Sequence, residues 1–400
     1  MKNYKMNEIC TVVTDYVANG SFASLKQNVE YLKQPNYARL IRLVDYHNNF
    51  DKNNAIYISK KSYEFLKKSK IFGGEIIISN VGNIGESFLT PNINMHMSLG
   101  PNCIMIKTNQ IDRYIYYYFQ SDIGKSKLHS LTSGSAIQKF NKTDFKKLEI
   151  SIHEINQQQH IVNILGSLDD KIENNEKILK LLDKALLIIY KKDLSKKLKT
   201  NNSYKLIRLS DVAYFQNGYS YKGKDLTETS KVALMTIKNF DRNVGFKIDG
   251  FKNLNPQNDS KQSQIVELYD TVVAHTDLTQ NAEIIGNAEM LLNKSKYDKI
   301  IASMDLVIVK PKKINKFLLY LFLHNEDFKC HALGYTAGTT VLHLNKKALQ
   351  EYKICFPVDN KKLIKLENQI ELLILKQASI IEINLKLNEL KQLYLKKFFG

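Results

Sequence analysis

The chain has 400 residues, of which 44% are hydrophobic and 24% are charged. This length predicts two or three domains, and this composition excludes wholesale disorder. Residues 1–200 hold 29 basic and 19 acidic side chains, and residues 201–400 hold 29 and 21, which gives a net charge of +18. Such a field favours a polyanion, most often nucleic acid, although a lysine-rich proteome also makes many proteins basic.

The longest apolar runs, such as residues 185–190 and 317–323, are far too short to cross a membrane. The first thirty residues also lack the pattern of a secretory signal, so we expect a cytoplasmic protein. The four cysteines form no C-x-x-C pair, and the nine histidines include no pair at i, i+4. We therefore expect no disulfide framework and no metal site.

The sequence also lacks the motifs of an enzyme. No two of the six prolines are adjacent, which excludes the amino-methyltransferase motif with its two consecutive prolines. The run Gly124-Lys125-Ser126 ends like a phosphate-binding loop, but Phe119 occupies the position of the required earlier glycine. We therefore predict no catalytic residues and a protein that binds rather than catalyses.

Short β-branched runs predict strands, and aromatic or leucine-rich runs predict helices. In chain order these are a strand at 75–79, a strand at 103–107, a helix at 113–120, a strand at 270–274, a strand at 305–309 and a helix at 316–324. The aromatic residues at 114–119 favour a core face over a base-stacking surface, because they recur at helical spacing. Each half of the chain therefore reads as mixed α/β.

The chain contains an internal repeat. Residues 132–152 align with residues 336–356, with identical residues at Thr132/Thr336, Gly134/Gly338, Asn141/Asn345, Lys142/Lys346 and Ile150/Ile354. Weaker matches precede them in the same order: 8–9 with 211–212, 41–46 with 235–240, 74–79 with 269–274 and 111–114 with 314–317. This pattern predicts two domains of one fold with different ligands.

A long helix is predicted after each copy of the repeat. Residues spaced alternately by four and three form a heptad seam in each helix. The seams comprise Ile161, Leu165, Leu168, Ile172, Asn175, Leu179, Leu182, Leu186 and Ile189, and then Leu366, Ile370, Leu373, Gln377, Ile380, Asn384 and Leu387. We expect the two seams to pair with each other, antiparallel if the second domain lies at the far end of the first helix. The polar seam residues are expected to fix the register.

This layout resembles the specificity subunit of a type I restriction-modification system, over essentially the whole chain. The resemblance implies an α/β fold: two mixed α/β target-recognition domains in tandem, each followed by a long α-helix. The helices would pair as an antiparallel coiled coil with pseudo-two-fold symmetry. The expected division is 1–153, first target-recognition domain; 154–200, central helix; 201–357, second target-recognition domain; and 358–400, C-terminal helix.

The resemblance also implies the partners. Each recognition domain would read one half of an asymmetric bipartite site in double-stranded DNA. The helix pair would set the spacer and dock two modification (methyltransferase) subunits, which bind S-adenosylmethionine and methylate adenine N6. Restriction (endonuclease) subunits that use ATP and Mg would join them, and this chain itself would bind no cofactor.

Base contacts require donors and acceptors on exposed loops, and phosphate contacts require cations and amides. The residues that we predict to contact DNA are Arg42, Asn80, Asn83, Ser133, Ser135, Gln138 and Lys139 in the first domain and Lys238, Asn239, His275, Thr339, Thr340 and His343 in the second. Each has an alternative as an ordinary surface or turn residue. Arg42 is also placed to form a structural ion pair with Asp45, and Asp277 to cap a helix.

Two other functions compete with the first. An autonomous restriction-modification enzyme is disfavoured by the missing catalytic motifs. An independent two-domain DNA-binding regulator or scaffold is disfavoured by the unlike halves, because most regulators read palindromes with identical protomers.

Overall fold

The computed structural model describes residues 1–48, 50–52, 54–132, 138–195, 203–241, 245–256, 261–279 and 281–400. The chain divides into two compact units. Unit 1 comprises Met1–Lys171 and Leu387–Gly400, and unit 2 comprises Ile172–Lys386. Each long helix therefore contributes residues to both units, and the four-part division expected from the sequence stays a prediction.

The strands of unit 1 are short and mostly apolar. They are β1 (Lys2–Lys5), β2 (Cys10–Asp15), β3 (Ala38–Ile41), β4 (Ile56–Ile58), β5 (Lys70–Ile71), β6 (Ile76–Ser79), β7 (Ser87–Leu89), β8 (His96–Leu99), β9 (Cys103–Thr108) and β10 (Glu149–Ile152). The described residues form sheets with the strand orders β1-β10, β2-β9-β6-β7 and β4-β3-β8-β5. Strands β3 and β8 run parallel, and the other neighbours run antiparallel.

Helices of unit 1 cover these sheets. They are α1 (Met6–Ile9), α2 (Phe22–Asn28), α3 (Leu43–His47), α4 (Lys60–Phe65), α5 (Asp112–Gln120), α6 (Asp122–Ser130), α7 (Lys142–Lys147) and α8 (Ile155–Ile189), the last of which continues into unit 2. Polar side chains cap several of them: Ser121 Oγ accepts from the amide of Gly124 at the start of α6. Four of the five aromatic residues of α5 are buried in one core cluster with residues of β6 and β9, and Tyr116 is half-buried at its edge, which confirms the predicted core face.

The strands of unit 2 repeat this plan. They are β11 (Tyr204–Arg208), β12 (Ala213–Asn217), β13 (Val232–Met235), β14 (Lys252–Asn253), β15 (Thr271–Ala274), β16 (Thr276–Asp277), β17 (Ala288–Met290), β18 (Lys299–Ala302), β19 (Leu306–Pro311), β20 (Thr336–Ala337), β21 (Leu342–Leu344) and β22 (Lys353–Pro357). Within the described ranges their orders are β11-β22, β12-β19-β15-β17, β14-β13-β18 and β16-β21-β20.

Unit 2 contains a helix that is buried on all sides. Its helices are α9 (Leu209–Val212), α10 (Lys316–Leu323), α11 (Glu326–Leu333), α12 (Lys347–Glu351) and α13 (Asn360–Phe399), and α13 ends in unit 1. Every residue of α10 from Phe317 to Leu323 is buried, as expected of a helix that is apolar on all sides. The amide oxygen of Asn315 caps it by accepting from the backbone of Phe317 and Leu318.

The two units share one topology. The central order β2-β9-β6-β7 of unit 1 matches β12-β19-β15-β17 of unit 2, and the parallel pair β3-β8 matches the parallel pair β13-β18. The aligned segments of the internal repeat fall on these matching elements. The predicted fold class, two mixed α/β domains in tandem with long helices, is confirmed.

Within each unit the segments of α8 and α13 run antiparallel. In unit 1 the ring of Phe399 lies beside His153, and Lys391 Nζ lies 2.6 Å from Asp169 Oδ1. In unit 2 Asn175 Nδ2 donates to Asn384 Oδ1 at 2.6 Å, and Lys362 Nζ lies 3.3 Å from the carboxylate of Asp193. Residue numbers therefore fall along α13 as they rise along α8. None of the predicted seam residues is exposed.

Candidate nucleic-acid interface

In unit 1 the turn after β6 pairs with the segment before α7. The amide of Gly82 donates to the carbonyl of Gln138 at 3.2 Å, and Val81 forms a β-bridge with Lys139. Asn80 bonds Phe140 twice, through its backbone carbonyl at 3.1 Å and its side-chain amide at 3.0 Å. The structure thus brings residues 80–83 and 138–140 together, and we call them the loop face of unit 1.

The predicted residues of this loop face differ in accessibility. Asn83, Gln138 and Lys139 are exposed, whereas Asn80 is half-buried and uses its amide to hold Phe140. Ser133 and Ser135 lie outside the described residues. The DNA contacts of this set stay predictions.

Arg42 lies at the start of α3, where its alternative interpretation is observed. Its Nε lies 2.8 Å from Asp45 Oδ2, and a second guanidinium nitrogen donates to the carbonyl of Asn54 at 2.9 Å. Asp45 is buried and also faces Arg39 at 3.4 Å. Arg42 is therefore anchored, and a contact between its remaining surface and DNA stays a prediction.

In unit 2 the corresponding elements meet in the same way. Strand β16 pairs with β21, which places Thr276 opposite His343, and the amide of Leu344 donates to the carbonyl of His275 at 2.9 Å. Thr339 and Thr340 are exposed on the turn between β20 and β21. We call residues 275–279, 281–286, 303–305 and 339–343 the loop face of unit 2.

His275 has a buried ring nitrogen in this loop face. Its Nε2 has no hydrogen-bond partner within the described chain, although buried polar atoms normally have one. Burial, together with His343 and Lys346, lowers the pKa of His275. The ring is therefore held toward its neutral form, in which one nitrogen can accept a hydrogen bond and the other can donate.

Lys238 and Asn239 follow β13 and differ in exposure. Lys238 is exposed, but Asn239 is fully buried. The amide oxygen of Asn239 accepts from the backbone of Thr236 at 2.9 Å, and its Nδ2 donates to the carbonyl of Lys247 at 2.8 Å. This corrects the place of Asn239 among the surface candidates, because both ends of its side chain are used inside the unit.

Asp277 caps no helix in the described residues. Its carboxylate accepts from the amides of Thr279 at 2.9 Å, Ile284 at 2.7 Å and Ile285 at 3.2 Å. Burial opposes ionisation, but these hydrogen bonds prevail and hold the pKa of Asp277 below its ordinary value. The alternative of a helix cap is therefore corrected: the carboxylate closes the loop that follows β16.

Lys329 holds the same loop from α11. Its Nζ donates to the carbonyls of Ala282 at 2.9 Å, Glu283 at 3.2 Å and Ile285 at 2.5 Å. Burial lowers the pKa of Lys329 to about 8, although Asp277 acts in the opposite direction. No sequence signal pointed to Lys329, because it lies more than 40 residues from the carbonyls that it binds.

The loop face of unit 2 also contains two exposed apolar residues that are not among the predicted DNA contacts. The exposed fractions are 69% for Leu278 and 55% for Met304. Neither residue is polar or charged, so a prediction based on hydrogen-bonding and charged side chains does not include them.

The helix segments of unit 2 present a second surface. Ile178, Leu181 and Ile188 of α8 are exposed, and each directly precedes a seam residue. Leu372 and Ile383 of α13 are exposed in the same relation to their seam. In an antiparallel pair, positions that precede the seam lie on one side of both helices.

The opposite side of α8 faces the body of unit 2. His324 donates to Asp183 Oδ1 at 2.7 Å, and the hydroxyl of Tyr190 donates to Asp327 at 2.8 Å. Burial alone would lower the pKa of His324, but Asp183 and Glu289 raise it to about 9. The apolar side chains of the preceding paragraph therefore point away from this body.

The described ranges lack two features of other protein classes. No helix there is long and apolar enough to span a bilayer. No group of three or more His, Cys, Asp or Glu in those ranges could hold a metal ion.

Comparisons with known proteins agree with this architecture. Residues 1–184 match the family described as "Type I restriction modification DNA specificity domain". The chain is similar to the type I restriction enzyme MjaVIII specificity subunit of Methanocaldococcus jannaschii, with 25% identity over 270 residues that cover 62% of this chain and 61% of that relative. It is similar to the MjaIX specificity subunit of the same organism, with 23% identity over 223 residues that cover 50% of this chain and 51% of that relative.

The chain thus spans about 61% of the length of the first of these relatives and 51% of the second. A solved structure, the S subunit of the type I restriction-modification system of M. genitalium, covers 100% of this chain and 96% of its own. The TM-score is 0.54 at 15% identity, which shows a shared fold. The resemblance to type I specificity subunits that the sequence predicts is confirmed.

Proposed function

From the match of residues 1–184 to the type I restriction modification DNA specificity domain, we propose that this chain recognises DNA for a type I restriction-modification complex. The observation that carries the proposal is the repetition of one topology with two different loop faces. The loop face of unit 1 offers amides such as Asn83 and Gln138, and that of unit 2 offers His343 and threonines. Two readers of one fold with unlike side chains suit an asymmetric bipartite site.

Each loop face would read one half-site. Exposed amides, hydroxyls and imidazoles supply the donors and acceptors that base edges require, and Lys139 and Lys238 suit phosphates. The unpartnered Nε2 of His275 supports this role, since a base or a bridging water at the loop face would satisfy it. The net charge of +18 favours the duplex throughout.

The antiparallel helices would set the spacer between the half-sites. The hydrogen bond between Asn175 and Asn384 supports a fixed register, because a shift of either helix would break the bond that the buried amide of Asn175 donates. One inserted helical turn adds about 5.4 Å. The spacer would change while the half-sites would not.

The exposed apolar side chains of α8 and α13 would dock two methyltransferase subunits. Those subunits would bind S-adenosylmethionine and methylate adenine N6, and restriction subunits would supply ATP- and Mg-dependent cleavage. This chain would contribute specificity and assembly without catalysis. The exposed leucines and isoleucines support a docking role, because exposed apolar side chains that share one side of a helix pair are typical of interaction sites.

Methylome sequencing tests the proposal. The source strain and a strain that lacks this gene are compared, and we expect loss of N6-methyladenine at one asymmetric bipartite motif. Complementation with a chain that carries four extra residues near Asn175, matched by four near Asn384, should restore methylation at the same half-sites with a new spacer. Unchanged methylation in the deletion strain would refute the proposed role in DNA recognition. Altered half-site bases after the insertion would refute the proposal that the helices set the spacer.

A further inference from the structure

Two large apolar side chains stand exposed in the loop face of unit 2, where the other exposed residues are the polar Asn281, Thr339, Thr340 and His343. The exposed fractions are 69% for Leu278 and 55% for Met304. Isolated surface leucines are ordinary. The position of Leu278 is unusual, because this residue directly follows β16, the strand that carries Thr276 opposite His343.

Hydrogen bonds join the segments that carry these two residues. The amide of His275 donates to the carbonyl of Asp305 at 2.7 Å, and Thr276 Oγ1 donates to Asp305 Oδ1 at 3.1 Å. Met304 directly precedes Asp305, and Leu278 lies two residues after Thr276. The two apolar residues therefore lie on the two segments that hydrogen bonds join at His275.

Two side chains hold the described residues of the segment that follows β16. The carboxylate of Asp277 accepts hydrogen bonds from the backbone amides of three of these residues, and Lys329 Nζ donates to the carbonyls of three. A backbone fixed by that many hydrogen bonds presents its side chains in one geometry. Leu278 therefore lies between Asp277 and Thr279, which a hydrogen bond joins.

Resting on the proposed function, we propose that Leu278 makes an apolar contact with the bases of the second half-site. DNA fits this position better than a protein partner does, because Thr339, Thr340 and His343 around it suit base edges and phosphates. Apolar side chains contact DNA in two ways: against the thymine methyl in the major groove, or between base pairs at an opened step. The shared chemistry is a desolvated apolar surface of a base.

The test uses the full chain, with any methyltransferase that co-purifies, and a fluorescent duplex that carries the bipartite motif found by methylome sequencing. Leu278→Ala should weaken binding about tenfold relative to wild type, the usual effect of losing one good base contact. Leu268→Ala is the matched control, because Leu268 is 42% exposed and precedes β15, at the end of that strand away from His275. It should bind within twofold of wild type.

Two further arms separate the sources of the contact. Replacing thymine with uracil in the second half-site should weaken wild type and leave Leu278→Ala unchanged if the methyl is the partner. A 2-aminopurine in that half-site should brighten with wild type alone if a base step is opened. Leu278→Met should retain affinity and Leu278→Asn should lose it, which a purely structural role at an exposed position does not predict.

The binding measurements distinguish failure of this inference from failure of the proposed function. Wild type that prefers the motif duplex, together with Leu278→Ala of equal affinity, would overturn this inference and leave the proposed function standing. Wild type that binds the motif and a scrambled duplex equally would overturn both.

Discussion

Replacing Phe399 with alanine should destabilise unit 1, although this residue lies at the far end of the chain. Only 3% of Phe399 is exposed, and its ring centroid lies 5.4 Å from that of Tyr114 and 5.7 Å from that of Tyr118. Truncation of a buried phenylalanine costs about 3–5 kcal/mol. We expect about 3 kcal/mol, toward the low end, because the helix terminus can partly collapse into the space.

Hydrogen exchange measured by mass spectrometry reports the loss of stability separately for each unit. A loss of about 3 kcal/mol raises the opening constant of unit 1 by about two orders of magnitude, so peptides from α5 and β6 should exchange faster. Peptides from β15 and β19 of unit 2 serve as the internal reference. Leu393→Ala is the matched control on the same helix, because Leu393 is 66% exposed and should change stability by less than about 0.5 kcal/mol. Unchanged protection of α5 in Phe399→Ala would refute the reasoning.

Three further predictions concern unit 2. Asn175→Leu should lower the melting temperature because it removes the hydrogen bond that Asn175 Nδ2 donates to Asn384 Oδ1, at a cost of about 1 kcal/mol, and a thermal double-mutant cycle with Asn384→Leu should return a coupling energy of about the same size. Lys329→Met should accelerate hydrogen exchange of residues 281–286, whereas β19 should stay protected; equal rates in both proteins would contradict the role of its three carbonyl contacts. The pKa of His324 is raised to about 9, so its contribution to stability should be complete below about pH 6.5 and lost as the pH rises through about 9. Thermal unfolding from pH 6 to pH 9.5 should show this fall in wild type and a flatter profile in His324→Gln.

The internal repeat made much of the fold predictable. Because the two halves share an ordered set of short motifs, the segments 74–79 and 269–274 were expected to be equivalent, and they form β6 and β15 in matching sheets. The heptad spacing likewise predicted which residues of α8 and α13 would be shielded. Both signals are periodic or duplicated, and such signals survive in a single sequence.

Long-range contacts left no such signal. The place of Phe399 in the core of unit 1 depends on residues almost 300 positions earlier, and nothing in the local sequence marks it. Asp277 shows the limit differently. An aspartate that binds amides two residues onward is the chemistry of both a helix cap and a closed loop, so the sequence alone leaves both interpretations open.

The residues that are identical in both repeats are scaffold residues where the structure describes them. Asn141 Oδ1 accepts from the amide of Asp144, and Asn345 Oδ1 from that of Lys347, so both fix the entry to a helix. Gly338 has a φ of +133°, and a Cβ there would lie 2.0 Å from the carbonyl oxygen of Val341, so only glycine fits. The positions that differ between the loop faces, such as Gln138 and His343, lie beside these anchors. Identity between the halves therefore marks what holds a loop, and difference marks what the loop presents, which is where the proposed readers of two unlike half-sites would differ.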